Sequence, residues 1–231
     1  MDNKKAHFDL ENYQQHESGL KSSIRKLFPS LYRFLKDVFL NFLHLLSKLK
    51  WRALQKQAVI KLNFGSGPKK GSNGWTNIDL HGADINWNLT KPIPLNENSV
   101  DIVYTSHLFE HLQYQDLLKV LSDIQRILKP GGKLSVCVPN AGLYLRAYFN
   151  QEMFIQYNEM FPPAAVNTGS GLDQVNYIAY LNGDHTFMFD ETNLVNILKK
   201  KNFQNVSLRD FDPSIDHKER EFESIYALAT K

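Results

Sequence analysis

A chain of 231 residues is long enough for one full domain with an appendage and short for two independent domains. Its 42% hydrophobic content and mean hydropathy of −0.38 predict a soluble globular protein, and no apolar run approaches the roughly 20 residues a membrane span needs. The net charge of +3 is unevenly placed, with 11 Lys/Arg against 5 Asp/Glu in residues 1–58 and 16 against 19 in residues 59–231. A nucleic-acid enzyme holds phosphates with a basic footprint near its active site, and the larger part of this chain lacks one, so no nucleic-acid partner is expected. The single cysteine, Cys137, excludes an internal disulfide and a cysteine-rich zinc site. The polar opening Met1-Asp2-Asn3-Lys4-Lys5 has no signal-peptide layout, and both features predict a cytoplasmic protein.

In chain order, residues 1–20 are polar without a sustained period and read as a tail. Leu27, Leu31, Leu35, Val38, Phe42, Leu46 and Leu49 then recur at steps of three and four, which predicts an amphipathic helix to about Gln57, with Pro29 in its first turn. Residues 1–57 are therefore expected to form a tail and basic helix ahead of a domain at 58–231. Strand patterns follow at Val59–Phe64, Thr76–Leu80, Ala83–Trp87, Ser99–Ser106 and Lys133–Pro139, with a helix at Tyr114–Leu128. Lys129-Pro130-Gly131-Gly132 marks the turn between that helix and the next strand. Residues 140–183 lose the strand rhythm and predict an irregular, partly helical insertion on the substrate side. A helix at Glu191–Lys201 and strands at Asn205–Arg209 and Ser224–Thr230 close the chain. Alternation of this kind predicts an α/β domain with a doubly wound, mostly parallel sheet.

The turn Gly65-Ser66-Gly67 after the first strand lets backbone pass close to a ligand at the carboxyl edge of the sheet, although an ordinary tight turn has the same look. Lys70 stands where a nicotinamide fingerprint needs its third glycine, and no Gly-Lys-Ser/Thr follows for a P-loop. Asp79 ends the second strand, where it suits two ribose hydroxyls or, alternatively, a turn or helix cap. The short gap between Gly67 and Asp79 means that the intervening helix is abbreviated or replaced by a loop.

Four stretches in order, Lys61-Leu62-Asn63-Phe64-Gly65-Ser66-Gly67, Asn77-Ile78-Asp79-Leu80, Ile93 through His107, and Leu128-Lys129-Pro130-Gly131-Gly132-Lys133-Leu134, make the chain resemble class I S-adenosylmethionine-dependent methyltransferases. Gly74-Trp75-Thr76-Asn77-Ile78-Asp79 is similar to the second strand of bacterial members found among surface-polysaccharide genes. The resemblance implies a Rossmann-like seven-stranded sheet with an N-terminal helical extension, and S-adenosylmethionine as cofactor. It implies that Asn63, Gly65, Ser66 and Gly67 face the methionine and ribose parts, that Asp79 takes the ribose hydroxyls with Leu80 beside it among the cofactor-binding residues, and that Asn88 and Leu89 flank the adenine. Ser106 and His107 would then close the site. Asn63 departs from the acidic residue frequent at its position, and Lys69 replaces a frequent glycine.

A sulfonium methyl needs an aligned acceptor, and an oxygen acceptor also wants a base. His185 and His111 are the catalytic candidates, with His107 beside them; capping and packing at the start of a helix compete for His107 and His111. Tyr144, Tyr148, Tyr157 and Tyr177 suit either stacking on a sugar or packing of the insertion. No tight spacing of carboxylates and histidines announces a metal site, and none is expected. The acceptor is expected to be a small molecule or glycan with a free hydroxyl; a lipid or quinone-like acceptor, and a silent methyltransferase-like interaction module, stand as alternatives. Residues 21–57 carry nine Lys/Arg and one Asp around the apolar stripe, which suits packing on the domain, self-association or peripheral contact with an anionic membrane.

Overall fold

The computed structural model describes residues 46–231, and the expectations for the tail and for the amphipathic stripe before Leu46 lie outside the described residues. Residues 46–231 form one compact unit. Its first element, α1, is a helix over residues 46–54. Trp51 and Leu54 of α1 are 0% and 4% exposed in the main core, and the Trp51 ring meets Trp87 edge-on at 6.1 Å. The Ser47 hydroxyl donates to Asn86 O at 2.9 Å. These last turns of the basic segment thus belong to the domain, so the compact unit begins ahead of the boundary at residue 58 that composition indicates.

Seven strands build one sheet: β1 Lys61–Phe64, β2 Trp75–Asp79, β3 Ile85–Asn86, β4 Val100–Ser106, β5 Leu128–Pro139, β6 Gln204–Leu208 and β7 Ser224–Thr230. Their order is β3-β2-β1-β4-β5-β7-β6, and β7 alone runs antiparallel to its neighbours. The chain steps from β1 outward to β2 and β3, then returns to the other side of β1 as β4. That reversal opens a crevice at the carboxyl ends of β1 and β4, where ligands bind in open α/β sheets.

The helix α2, Tyr114–Ile127, buries Leu117, Val120, Leu121, Ile124 and Ile127, the three-and-four spacing that predicts it. The strand after it begins at Leu128, earlier than expected. Leu128 pairs with Val100 and Lys133 with Ile102, so Lys129-Pro130-Gly131-Gly132 bulges out of a continuous strand instead of preceding it. No helix separates β1 from β2; a loop over residues 65–74 takes its place.

The insertion carries helices α3, Ala141–Phe149, and α4, Leu172–Tyr180, packed around a second core of Ala141, Tyr144, Ile155, Met160 and Ile178. The last helix, α5, Glu191–Lys200, is capped by Asp190, whose carboxylate accepts the Asn193 N–H at 2.7 Å. Among the described residues no helix is long and apolar enough to cross a membrane.

Candidate active site

Gly65 and Gly67 both adopt positive φ, +70° and +68°, which turns the chain sharply after β1. The Gly65 N–H donates to Ile78 O at 2.9 Å and the Gly67 N–H to Asp79 Oδ2 at 2.8 Å. Asp79 Oδ1 accepts the Leu80 N–H at 2.6 Å. A Cβ at Gly65 would stand 2.8 Å from the Leu108 side chain, whereas one at Gly67 would meet nothing within 4 Å. The turn therefore packs on its first glycine and faces open space at its second.

That space is a cleft of about 560 Å³. Asn63, Gly65, Ser66, Gly67 and Asp79 line it from β1 and β2, and Ser106, His107 and His111 from β4 and the turn after it. Lys69, His217, Glu219 and Arg220 complete the wall. A volume of this order matches pockets for drug-sized ligands, roughly 300 to 1,000 Å³. The residues fit a nucleoside cofactor bearing an amino acid: each Asp79 oxygen keeps a lone pair beyond its backbone hydrogen bond, and the Gly67 backbone lies bare to the cleft. The Asn63 amide donates to Asn77 Oδ1 at 3.2 Å, so its own oxygen remains available to a ligand amine.

Three of the expected cofactor residues stand apart from this wall. Leu80 is 56% exposed just beyond Asp79. Asn88 Oδ1 accepts both the Thr90 N–H and the Thr90 hydroxyl, holding a turn, and Leu89 is packed in the main core.

On the opposite wall, β4 ends in Ser106, His107 turns with φ +51°, and a short 3₁₀ turn, Phe109–His111, follows. Arg220 donates to the Ser106 hydroxyl at 3.1 Å and to Ser106 O at 3.2 Å, drawing the segment before β7 over the cleft. Burial, with the Arg220 guanidinium adding to it, pushes the His107 imidazole down to about 3, so the ring is neutral; its Nε2 meets the Ser224 hydroxyl at 2.9 Å. Burial pushes the Glu110 carboxyl up to about 8. Burial also lowers His185, which is 8% exposed and sits with its ring 5.0 Å from that of His111.

His185 reaches the site because residues 184–187 are stitched to the Glu110 turn. The Thr186 and Phe187 N–H groups donate to Glu110 O at 2.8 and 3.2 Å, and His111 Nδ1 meets Asp184 O at 2.9 Å. The structure thereby joins both catalytic candidates to a buried carboxyl that spacing did not mark. One donor atom each of Glu110, His111 and His185 lies within 4.8 Å of the others. The residues that reasoning from sequence missed are Glu110, His217, Glu219 and Arg220. The last three lie at least 138 positions after Asp79, with no motif of their own.

The aromatic candidates divide. Tyr144 is fully buried and donates its hydroxyl to Glu223, and the Tyr177 hydroxyl accepts the Phe161 N–H, so both hold the insertion together. Tyr148 and Tyr157 line a separate recess of about 420 Å³ with Gln151, Gln156, Asn167 and Asp173.

A seven-stranded sheet in this order, with one antiparallel strand and a glycine turn fastened to a strand-terminal carboxylate, defines the class I methyltransferase fold. A family model described as a methyltransferase domain matches residues 24–208; the chain belongs to that family and is an S-adenosylmethionine-dependent methyltransferase. No curated protein matches it. Similar solved structures include S-adenosylmethionine-dependent methyltransferases from Archaeoglobus fulgidus (15% identity, 80% of this chain and 93% of that one, TM-score 0.47) and Mesorhizobium loti (15%, 79% and 96%, 0.46). Another comes from Methanosarcina mazei (15%, 76% and 93%, 0.45). At these identities and scores the likeness says nothing of the acceptor.

Proposed function

We propose that this methyltransferase transfers its methyl group to a hydroxyl of a small polar acceptor, a sugar or glycan unit being the class that suits it best. The observation that carries this reading is the Glu110, His111 and His185 cluster, with His111 opening onto the cleft and Glu110 buried behind it. An amine free of its proton needs no such group; a hydroxyl must lose a proton as it is methylated. S-adenosylmethionine supplies an activated methyl on a sulfonium, so alignment provides much of the rate.

In this reading Asp79 accepts the ribose hydroxyls, and Gly65, Ser66 and Gly67 give the cofactor a close backbone wall. Asn63 faces the methionine amine without charge, and Ser106 and His107 close the site beside the acceptor. Leu80, exposed just beyond Asp79, lies at the margin of the cofactor cleft. The histidine and glutamate cluster activates the acceptor hydroxyl for loss of its proton. The recess bearing Tyr148, Tyr157, Gln151 and Asn167 supports a sugar, which stacks on aromatic faces and hydrogen-bonds to amides.

The test is turnover of the full chain with S-adenosylmethionine and separate panels of sugars, nucleotide sugars, amines and quinones, followed by mass spectrometry of the product. Methyl on a sugar oxygen is expected. Methyl on nitrogen, or turnover confined to the quinones, removes the reading. Liposomes carrying anionic lipid, sedimented with the full chain and with a chain starting at Leu46, test whether residues before it bring the enzyme to lipid-linked glycans; equal partitioning ends that extension.

A further inference from the structure

Glu110 is 1% exposed, and neither of its carboxyl oxygens has a hydrogen-bond partner. Buried polar groups are almost always hydrogen-bonded or bound to a metal, so a carboxyl left in this state calls for a ligand. Its nearest polar neighbours are imidazole nitrogens, His107 Nδ1 at 3.7 Å and His111 Nε2 at 3.8 Å from Glu110 Oε1.

Both cluster imidazoles are held in one orientation from behind. His185 Nδ1 lies 2.7 Å from Ile178 O and His111 Nδ1 lies 2.9 Å from Asp184 O. A carbonyl oxygen only accepts, so each Nδ1 carries a proton, and Nε2 is the ring nitrogen left to meet a ligand. One potential ligand atom each of Glu110, His111 and His185 thus lies within 4.8 Å of the others, and the carboxyl among them has no hydrogen-bond partner. A backbone carbonyl on the far ring nitrogen is also the arrangement that orients histidines bound to metals.

We propose that Glu110, His111 and His185 bind a divalent transition-metal ion of the Zn²⁺ type, with an open coordination position toward the cleft. Two histidines and one glutamate form a recognised donor set for catalytic zinc, whereas magnesium and calcium prefer oxygen donors throughout. His111 lines the cleft, so a ligand entering there reaches the ion. Resting on the reading that a hydroxyl is methylated, the ion is the means by which the cluster activates it. The hydroxyl oxygen coordinates, its proton passes to water, and the oxygen forms the bond to the methyl carbon as the carbon–sulfur bond breaks onto sulfur.

The test uses untagged full-length protein stripped with a chelator and titrated with Co²⁺ alone, whose visible absorption reports its coordination. One Co²⁺ per chain, displaced by Zn²⁺, is expected, with affinity falling by about tenfold or more in Glu110→Gln and His185→Asn. No stoichiometric binding by the wild-type chain, or equal binding by Glu110→Gln, overturns the proposal. Circular dichroism confirms that each variant is folded, and where His185→Asn is not, the near-isosteric Glu110→Gln decides. Turnover measured alongside keeps the two readings apart. Co²⁺ binding without methylation of any hydroxyl leaves the metal site standing and removes the acceptor class; hydroxyl methylation undiminished in the stripped protein overturns the metal's role.

Discussion

The Gly67 N–H donates to Asp79 Oδ2 at 2.8 Å, so the turn that ends the first strand is fastened to the carboxylate that ends the second. The two glycines of that turn have different surroundings. Gly65→Ala sets a Cβ against Leu108 as well as straining a positive φ, and is expected to lower stability by several kcal/mol. Gly67→Ala meets open space and should cost about 1 to 2 kcal/mol from φ alone, while weakening cofactor binding by filling the bare wall. Urea denaturation and calorimetry on the two variants separate these effects; equal stability losses would contradict the assignment.

Arg209 and Asp216 form a two-pronged pair at 2.6 and 2.8 Å, with the Asp216 side chain fully buried. Asp216 also accepts the Tyr104 hydroxyl and the Asp212 N–H, so it anchors the segment that carries His217 and Arg220 to the cleft. Asp216→Ala leaves the guanidinium without its partner and should cost about 3 to 5 kcal/mol, read from the denaturation midpoint.

Trp51 ties α1 into the main core against Trp87. Trp51→Ala is expected to cost about 3 to 5 kcal/mol, and a chain starting at residue 58 should melt well below one starting at Leu46. Matching melting temperatures for the two truncated chains would place α1 outside the folding unit.

Burial tends to raise the Asp101 carboxyl, but the hydrogen bond from Lys129, the Ile60 N–H and the Lys129 charge outweigh it and hold the group below its ordinary 3.8. A carboxyl depressed in the folded state contributes stability that is fully present above its unfolded pKa and is lost as pH falls through the folded value. Asp101→Asn should therefore lower stability at neutral pH and flatten the loss between about pH 4 and the lower folded pKa. An acid limb unchanged from wild type would exclude the pair as its source.

The strands and the glycine turn were legible because they are local: alternation marks β1, β2 and β4, and Gly65, Gly67 and Asp79 lie within one strand-turn-strand unit. Bounds slipped where pairing decides them, as at Leu128, which joins Val100 and starts β5 before the Pro130-Gly131-Gly132 bulge. Trp51 shows the limit of composition, since nothing in a basic segment marks that its last turns pack into the core of the domain. The Glu110, His111 and His185 cluster was hidden because backbone hydrogen bonds from Thr186 and Phe187 to Glu110 O, not spacing, bring its members together. Arg220 closes the cleft from a 3₁₀ segment, Lys218–Glu223, whose charged sequence has no pattern that points to it.

S-adenosylmethionine is expected to occupy the cleft between Gly67, Asp79 and His107. Calorimetric titration of the full chain with S-adenosylmethionine tests it directly: one site per chain is predicted, weakened by about tenfold or more in a folded Asp79→Ala variant, as loss of hydrogen bonds to a charged group requires. Absence of binding heat from the wild-type chain, or an affinity unchanged by Asp79→Ala, would contradict it.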